Sequence, residues 1–445
     1  MSQQLQSFDP GNGELLGAVE VATENQIEQV VIQARTASAQ WSDLGTAQRT
    51  GLVEKAWAAA EPELHRLAEL LGREMGKDIR RATGEVSGTI YGGPYIAQAV
   101  ANALQPSSIG RTTIEYKPFG IVAVISPWNY PLAMANNLLI PALVAGNTVI
   151  WKPSEETPLI AQAFFDLVAG KLPEHVLQIV HGDGEQGKML VESDVNMIAF
   201  TGSRAAGKDI MQRAATSLKR LVMELGGNDP MLVMADADLA AAARFAVASS
   251  FENAGQMCTS TERIYVDETV AAEFNELVVG YARQYRVGPW NMDNVNIGPI
   301  VNHRQHRTVL AHIKDAVEKG AKLLLGSDDQ QPPYIQPTVI AGMTPDMRVE
   351  QEETFGPLIC ISTYSDIENA ITRANHSDYG LGAVVFGGSG ANTIAGRLEA
   401  GMIGINQGVG GEGDSPWVGA KQSGLGFHGS TEGHRQFAQV RVVNR

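Results

Sequence analysis

Two residues stand out for their chemistry, a cysteine and a glutamate. The 445-residue chain contains two cysteines. Cys360 lies in GPLICIS, an apolar run that reads as core, where a free cysteine behaves as a small hydrophobe. Cys258 follows Asn253, Gly255 and Gln256 and precedes Thr259 and Ser260, a polar, glycine-containing setting that suits an exposed thiolate nucleophile. Glu224 ends the run RLVME just before Leu225-Gly226-Gly227. A carboxylate at a strand end beside a nucleophile is placed to act as a general base, whereas an isolated one is ordinarily a surface or salt-bridged group. The nine histidines are dispersed, no Cys/His cluster has zinc spacing, and no metal is expected.

Three further segments could hold phosphates or a ribose. In FTGSRAAGK, Gly202 and Ser203 open a helix directly after a strand, and a helix N-terminus offers free N–H groups to a pyrophosphate; Ser203 alone would equally be an ordinary N-cap. In KPSE, Lys152 to Glu155 put a cation and a carboxylate at a strand's C-terminal end. Such a carboxylate can accept hydrogen bonds from a ribose diol and would repel a 2′-phosphate, which favours NAD over NADP. GDGEQG, at Gly182, Gly184 and Gly187, fits the dinucleotide glycine pattern, but Ser203 stands about 20 positions on where an acidic residue belongs, so a glycine-rich turn is the better reading.

These residues need elements to position them. Residues 24 to 82 read as mostly helical, opening at Thr23 as N-cap. From Phe119 the pattern becomes short apolar strands, GIVAVIS, NTVIWKP, LQIVHG, MIAFTG and RLVMEL, separated by helical stretches at Leu132 to Val144, Pro158 to Ala169 and Ala205 to Ala215. That alternation predicts βαβ units and a mostly parallel sheet, whose ligands bind beyond the carboxyl ends of the strands. A second βα-rich region runs from near Gly226 to about Gly419, and the tail FAQVRVVN reads as a terminal strand that must pair with something, a neighbouring subunit being one option. The length calls for more than one domain. A net charge of −15 with scattered cations argues against nucleic acid and anionic membranes, and no apolar run is long enough to span a bilayer. The N-terminus shows no signal-peptide pattern, so a cytoplasmic protein is expected.

Taken together, the motifs PWNYP (127–131), KPSEETP (152–158), FTGS (200–203), MELGG (223–227), GQMC (255–258) and EETFGP (352–357) resemble, in order and along nearly the whole chain, the aldehyde dehydrogenase superfamily. The resemblance implies an α/β fold with a Rossmann-like cofactor domain (1–108 and 119–225), an α/β catalytic domain (226–420) and oligomerisation strands (109–118 and 436–445). It implies Cys258 as nucleophile, Glu224 as the base that activates water, and Asn129 as side-chain donor of the oxyanion hole beside the Cys258 N–H. It implies that Lys152 and Glu155 hold the adenosine ribose, that Ser203 and Trp128 lie near the pyrophosphate, that Glu353 holds the nicotinamide ribose and that Phe355 packs near the nicotinamide. Ser126, Pro127, Ser154, Gly184, Phe200, Thr201, Gly202 and Leu225 complete the expected cofactor cleft. Tyr130, Met134, Met257, Thr259 and Trp417 are the expected substrate wall. The cofactor is NAD or NADP, and a homodimer or homotetramer is expected.

The family chemistry is a thiohemiacetal, then a thioester, then hydrolysis; Glu224 favours water over coenzyme A as acyl acceptor. Three positions depart from the family pattern: Asn228 and Leu138 stand where Lys is usual, and Phe427-His428 replaces an Arg-Glu pair, which leaves His428 as a candidate stand-in for the proton relay. No basic residue occurs in PLAMANNLLI or from Asn406 to Ala420, so a neutral aliphatic or aromatic aldehyde is expected, with a carboxylate-bearing semialdehyde such as succinate semialdehyde as the alternative. A cofactor-free cysteine hydrolase would want a histidine near Cys258, and its segment has none; a catalytically silent structural member would not need Cys258, Glu224 and Asn129 together.

Overall fold

The strands predicted after Phe119 are all present, and they close around one crevice. A computed structural model describes residues 3–445. The first large sheet has six strands in the order Gly424–Leu425, Arg220–Glu224, Met197–Thr201, Ile121–Ile125, Thr148–Lys152 and Leu177–Ile179. All neighbours are parallel except the first pair. Chain order runs outward in both directions from Ile121–Ile125, so the switch point lies between that strand and Met197–Thr201. The loops that leave these two strands, 126–130 and 202–203, therefore flank the crevice where such sheets bind ligands. Within Ile121–Ile125, side chains alternate between two cores: Val122 and Val124 pack on one face, Ile121, Ala123 and Ile125 on the other.

The second sheet has seven strands, ordered Lys322–Leu325, Thr338–Ala341, Leu358–Tyr364, Thr261–Asp267, Asp229–Val233, Gly382–Phe386 and Met402–Ile405. Only its first pair is antiparallel. Cys360 is buried in this core, as its apolar setting predicts. The strand Gly424–Leu425 returns from the second region to the first sheet and pairs beside Glu224, a crossing that the sequence pattern does not reveal.

Thr23 caps the first helix, Glu24–Asp43, with a full capping box through Gln26. Helix continues past residue 82: Ile79–Ala103 runs through Gly84, Gly88, Gly92, Gly93 and Pro94. Those residues argue against helix on propensity alone. At Gly93 the reason is packing, because a Cβ would stand 2.4 Å from the Trp57 ring. The terminal strand Ala438–Asn444 pairs antiparallel with Thr112–Pro118 of its own chain, which pairs in turn with Ser107–Ile109. One edge of the terminal strand is thus satisfied internally. Among the described residues no helix is long and apolar enough to cross a membrane.

Candidate active site

Glu224 is the last residue of its strand and sits buried beneath Trp417, whose indole Nε1 lies 3.4 Å from Glu224 Oε1. The Cys258 thiol is its other partner. Burial pushes the Glu224 carboxyl up to about 7, although both partners pull it down, and its Oε2 has no partner. Cys258 is half-buried, and its thiol is pushed well above the usual range, first by burial and then by the Glu224 charge and hydrogen bond. This corrects the expectation of an exposed thiolate. Burial sets the ionisation of this sulfur first, followed by the charges of Glu224, Asp229 and Glu353 from other segments, and not its polar neighbours in sequence.

The turn before Cys258 is tightly built. Asn253 and Ala254 take left-handed conformations, at φ 50° and 59°. Gly255, at φ 72°, packs so closely under the Gly356 carbonyl that a Cβ would lie 2.0 Å from its oxygen. Gln256 is locked in place: its Oε1 accepts from Val301 N, and its Nε2 donates to Asn253 O. Asn129 Nδ2 donates to Gln256 O at 3.0 Å, which brings the PWNYP loop against the cysteine turn. Among the described residues the Cys258 N–H has no hydrogen-bond acceptor.

One cavity of about 480 Å³ gathers most of the candidate residues. Its wall includes Pro127, Trp128, Asn129, Tyr130, Met134, Thr201, Gly202, Ser203, Glu224, Leu225, Met257, Cys258, Glu353, Phe355 and Trp417. Trp128 and Phe355 meet edge to face, with ring centroids 5.4 Å apart. Seven candidates lie off this wall. Ser126 is buried at its strand end and accepts from Trp151 Nε1. Ser154 caps its own turn by accepting from Glu156 N. Phe200 packs under Gly202, and Thr259 is buried behind the cysteine turn. Lys152, Glu155 and Gly184 form a neighbouring group. Lys152 Nζ lies 3.8 Å from Glu155 Oε2, and burial lowers its ammonium pKa against the opposing charges of Glu155 and Asp183. Asp183 caps the helix Gly184–Glu192. Glu155 and Glu156 also line a separate cavity of about 580 Å³ against residues 6–13 and 300–303.

The site suits a dinucleotide. Ser203 caps Arg204–Ala214 and faces the cavity, so first-turn N–H groups not taken by its hydroxyl point there. Thr201 Oγ1, buried at the same wall, has no protein partner.

Glu353 is held by Gly227 N at 3.0 Å, and a Cβ on Gly226 would clash with its carboxylate at 2.3 Å. Its carboxyl is raised well above the usual range by burial and by the charge of Glu262. Glu262, itself raised to about 7 by burial, accepts the Thr354 and Phe355 N–H groups and fixes that turn.

Sequence reasoning missed Glu262, Lys77, Glu85, Arg81 and Glu252. It also missed Arg304 and Gln305 at the cavity wall, where Gln305 Nε2 donates to the Thr354 and Phe355 carbonyls. For Lys77, Arg81 and Glu85 the sequence carries no signal, since they stand in the charged stretch GREMGKDIRRATGE.

The departures have structural explanations. Leu138 is fully buried in the core. The Asn228 amide reaches the Glu350 and Glu352 carbonyls at 3.4 Å, tying down the turn that leads to Glu353. His428 pairs in register with Trp417 and is buried and held neutral, its pKa lowered to about 4 by burial and by His434. Trp417, and not His428, touches Glu224.

Comparison with known proteins identifies the family. The family model described as "Aldehyde dehydrogenase family" matches residues 1–443. A protein of Sinorhizobium fredii named probable succinate-semialdehyde dehydrogenase [NADP(+)] is 35% identical over 456 residues, covering 99% of this chain and 92% of that protein. The crystal structure of an aldehyde dehydrogenase from Brucella melitensis biovar abortus superposes with a TM-score of 0.95 at 33% identity, over 99% of this chain and 93% of that one. An NADP-dependent glyceraldehyde-3-phosphate dehydrogenase from Bacillus halodurans, solved with NADP, does so with a TM-score of 0.95 at 32% identity, over 99% and 95%. With the family matched along its whole length and the fold shared with solved members, the chain belongs to the aldehyde dehydrogenase family and is an NAD(P)-dependent oxidoreductase acting on aldehydes.

Proposed function

We propose that the chain oxidises a neutral aldehyde to its carboxylic acid through a thioester on Cys258. The observation that carries this reading is a single cavity whose wall brings together Cys258, Glu224, Asn129, Ser203 and Glu353. The Cys258 sulfur adds to the aldehyde carbon and its proton leaves to solvent. The resulting oxyanion accepts from Asn129 Nδ2 and from the unpartnered Cys258 N–H. The bound nicotinamide supplies the hydride acceptor. Trp128 and Phe355 form an aromatic part of the same cavity wall. Glu224 takes a proton from water as the water attacks the thioester and passes it to the departing sulfur, which releases the acid and restores the thiol.

The substrate wall is apolar around Tyr130, Met134, Met257 and Trp417. Among the described residues Arg304 is the one cation lining the cavity, and its guanidinium lies 3.9 Å from Glu156, on the Lys152–Glu155 side. That favours an uncharged aldehyde tail. A second reading, a carboxylate-bearing semialdehyde, is favoured by the name of the Sinorhizobium relative. Comparing kcat/KM for short, long and aromatic neutral aldehydes with that for succinate semialdehyde tests the choice. A wide margin for the semialdehyde would overturn the neutral reading.

For the cofactor, adjacent carboxylates at Glu155 and Glu156 favour NAD, whereas the Sinorhizobium relative is named for NADP(+) and the Bacillus structure holds NADP. The ratio of kcat/KM for the two cofactors tests this, and a preference for NADP would overturn it. We assign residues 1–108 and 119–225 to cofactor binding and 226–420 to catalysis. We assign 109–118 and 436–445 to a homo-oligomer interface, dimer or tetramer. Val440 and Val442 are exposed on the terminal strand, whose outer edge is open. Light scattering that reports a monomer would contradict this.

A further inference from the structure

We infer that Lys77 is a positioning residue for the oxyanion hole, acting through the backbone of Asn129. Lys77 lies in the turn between the helices Leu64–Met75 and Ile79–Ala103, and its ammonium group is wholly buried. It pairs with Glu85, also buried. Both charges are spent on one short segment. Lys77 Nζ donates to Asn129 O at 2.8 Å and sits 3.6 Å from the centroid of the Tyr130 ring. Glu85 Oε1 accepts from Leu132 N at 3.1 Å and Ala133 N at 3.2 Å, the opening turn of the helix that starts at Pro131. From the other side, Asn253 Nδ2 donates both to Asn129 O and to Gln256 O, at 3.2 Å each.

The Asn129 carbonyl is thus gripped by Lys77 and by the cysteine turn, while its side chain aims at the Gln256 peptide. A buried ion pair is a costly way to fill space, since apolar residues of similar volume usually stabilise as well or better. What this pair does that apolar residues would not is fix a carbonyl, a ring and two N–H groups around one donor.

This inference rests on the assignment of Asn129 to the oxyanion hole, and the experiment separates the two. Lys77→Met alone strands the Glu85 charge and risks misfolding, so the main variant is Lys77→Met/Glu85→Gln. The amide oxygen that Glu85→Gln introduces can still accept the two helix N–H groups, while Asn129 O loses its cation. Acylation is read as the pre-steady-state burst of reduced cofactor, with cofactor affinity as the control. We expect the burst rate to fall about 10- to 100-fold, as for a displaced catalytic group, with KM and cofactor affinity unchanged. In an Asn129→Ala background the same pair of substitutions should cost almost nothing further. A parent burst rate in the double variant, or an undiminished loss in the Asn129→Ala background, would overturn the positioning role. An Asn129→Ala protein as fast as the parent would instead overturn the oxyanion assignment, and the inference with it.

Discussion

Replacing Glu224 with Gln separates the two halves of the reaction and also carries a stability signature. Gln keeps the shape and the acceptor for Trp417 Nε1 but cannot take a proton from water. General-base catalysis contributes about 10²- to 10⁴-fold, or about 3 to 5 kcal/mol of barrier. Steady-state turnover should fall by that factor while one equivalent of reduced cofactor per active site still forms as a burst, because acylation precedes the water step. The stability change has the opposite sign. Burial holds the Glu224 carboxyl at about 7, above the ordinary 4.5, so the fold favours the protonated form. The stability contributed by this group is therefore complete below 4.5 and lost as pH rises through 7. Gln mimics the protonated acid, so at pH values above 7 the variant should be more stable by up to about 3 kcal/mol, an upper bound from the size of the shift. Stopped-flow cofactor fluorescence gives the kinetics, and denaturant melts at acid and alkaline pH give the stability. A variant with parent turnover, or one less stable than the parent above pH 7, would refute the reasoning.

Four other outcomes test separate parts of the account. In the parent, with deacylation limiting, kcat should drop as pH falls through about 7, because Glu224 is then protonated and cannot act as base; a flat profile between pH 6 and 8 would place the base elsewhere (about pH 7 is the midpoint expected for such a group). In Glu224→Gln the Cys258 thiol loses the neighbouring charge and hydrogen bond that raise it, so its alkylation by iodoacetamide should move to lower pH. Gly255→Ala should lower stability by about 3 kcal/mol or more, since the residue has positive φ and its Cβ would strike the Gly356 carbonyl; a melt like the parent's would contradict that packing. Glu155→Ser should raise KM for NAD and lower it for NADP, read from steady-state kinetics with each cofactor.

The parts of this site that were legible in the sequence are those carried by local pattern. A strand's apolar run followed by Gly or a polar cluster located Glu224, Ser203 and Lys152 at strand ends, and the parallel sheet put those ends on one side. Thr23 and Pro158–Ala169 were legible for the same reason, since caps and periodicity act within a few residues. The ionisation of Cys258 was not legible, because it is set first by burial in the folded chain and then by Glu224, Asp229 and Glu353 arriving from other elements. Lys77 and Glu85 resembled ordinary helix-surface charges, and only the packing of their turn against Asn129 shows otherwise. The return of Gly424–Leu425 to the first sheet is a long-range pairing of two residues, too short to leave a periodic signal.

In the proposed reaction the Cys258 sulfur forms a covalent bond to the substrate carbonyl carbon. Intact-mass and peptide measurements on Glu224→Gln, quenched after mixing with aldehyde and oxidised cofactor, test this most directly. The expected result is one acyl group per chain, on the peptide that contains Cys258, and none when Cys258 is changed to Ser. An unmodified Cys258 peptide after a full burst, or a Cys258→Ser protein that turns over at the parent rate, would contradict it.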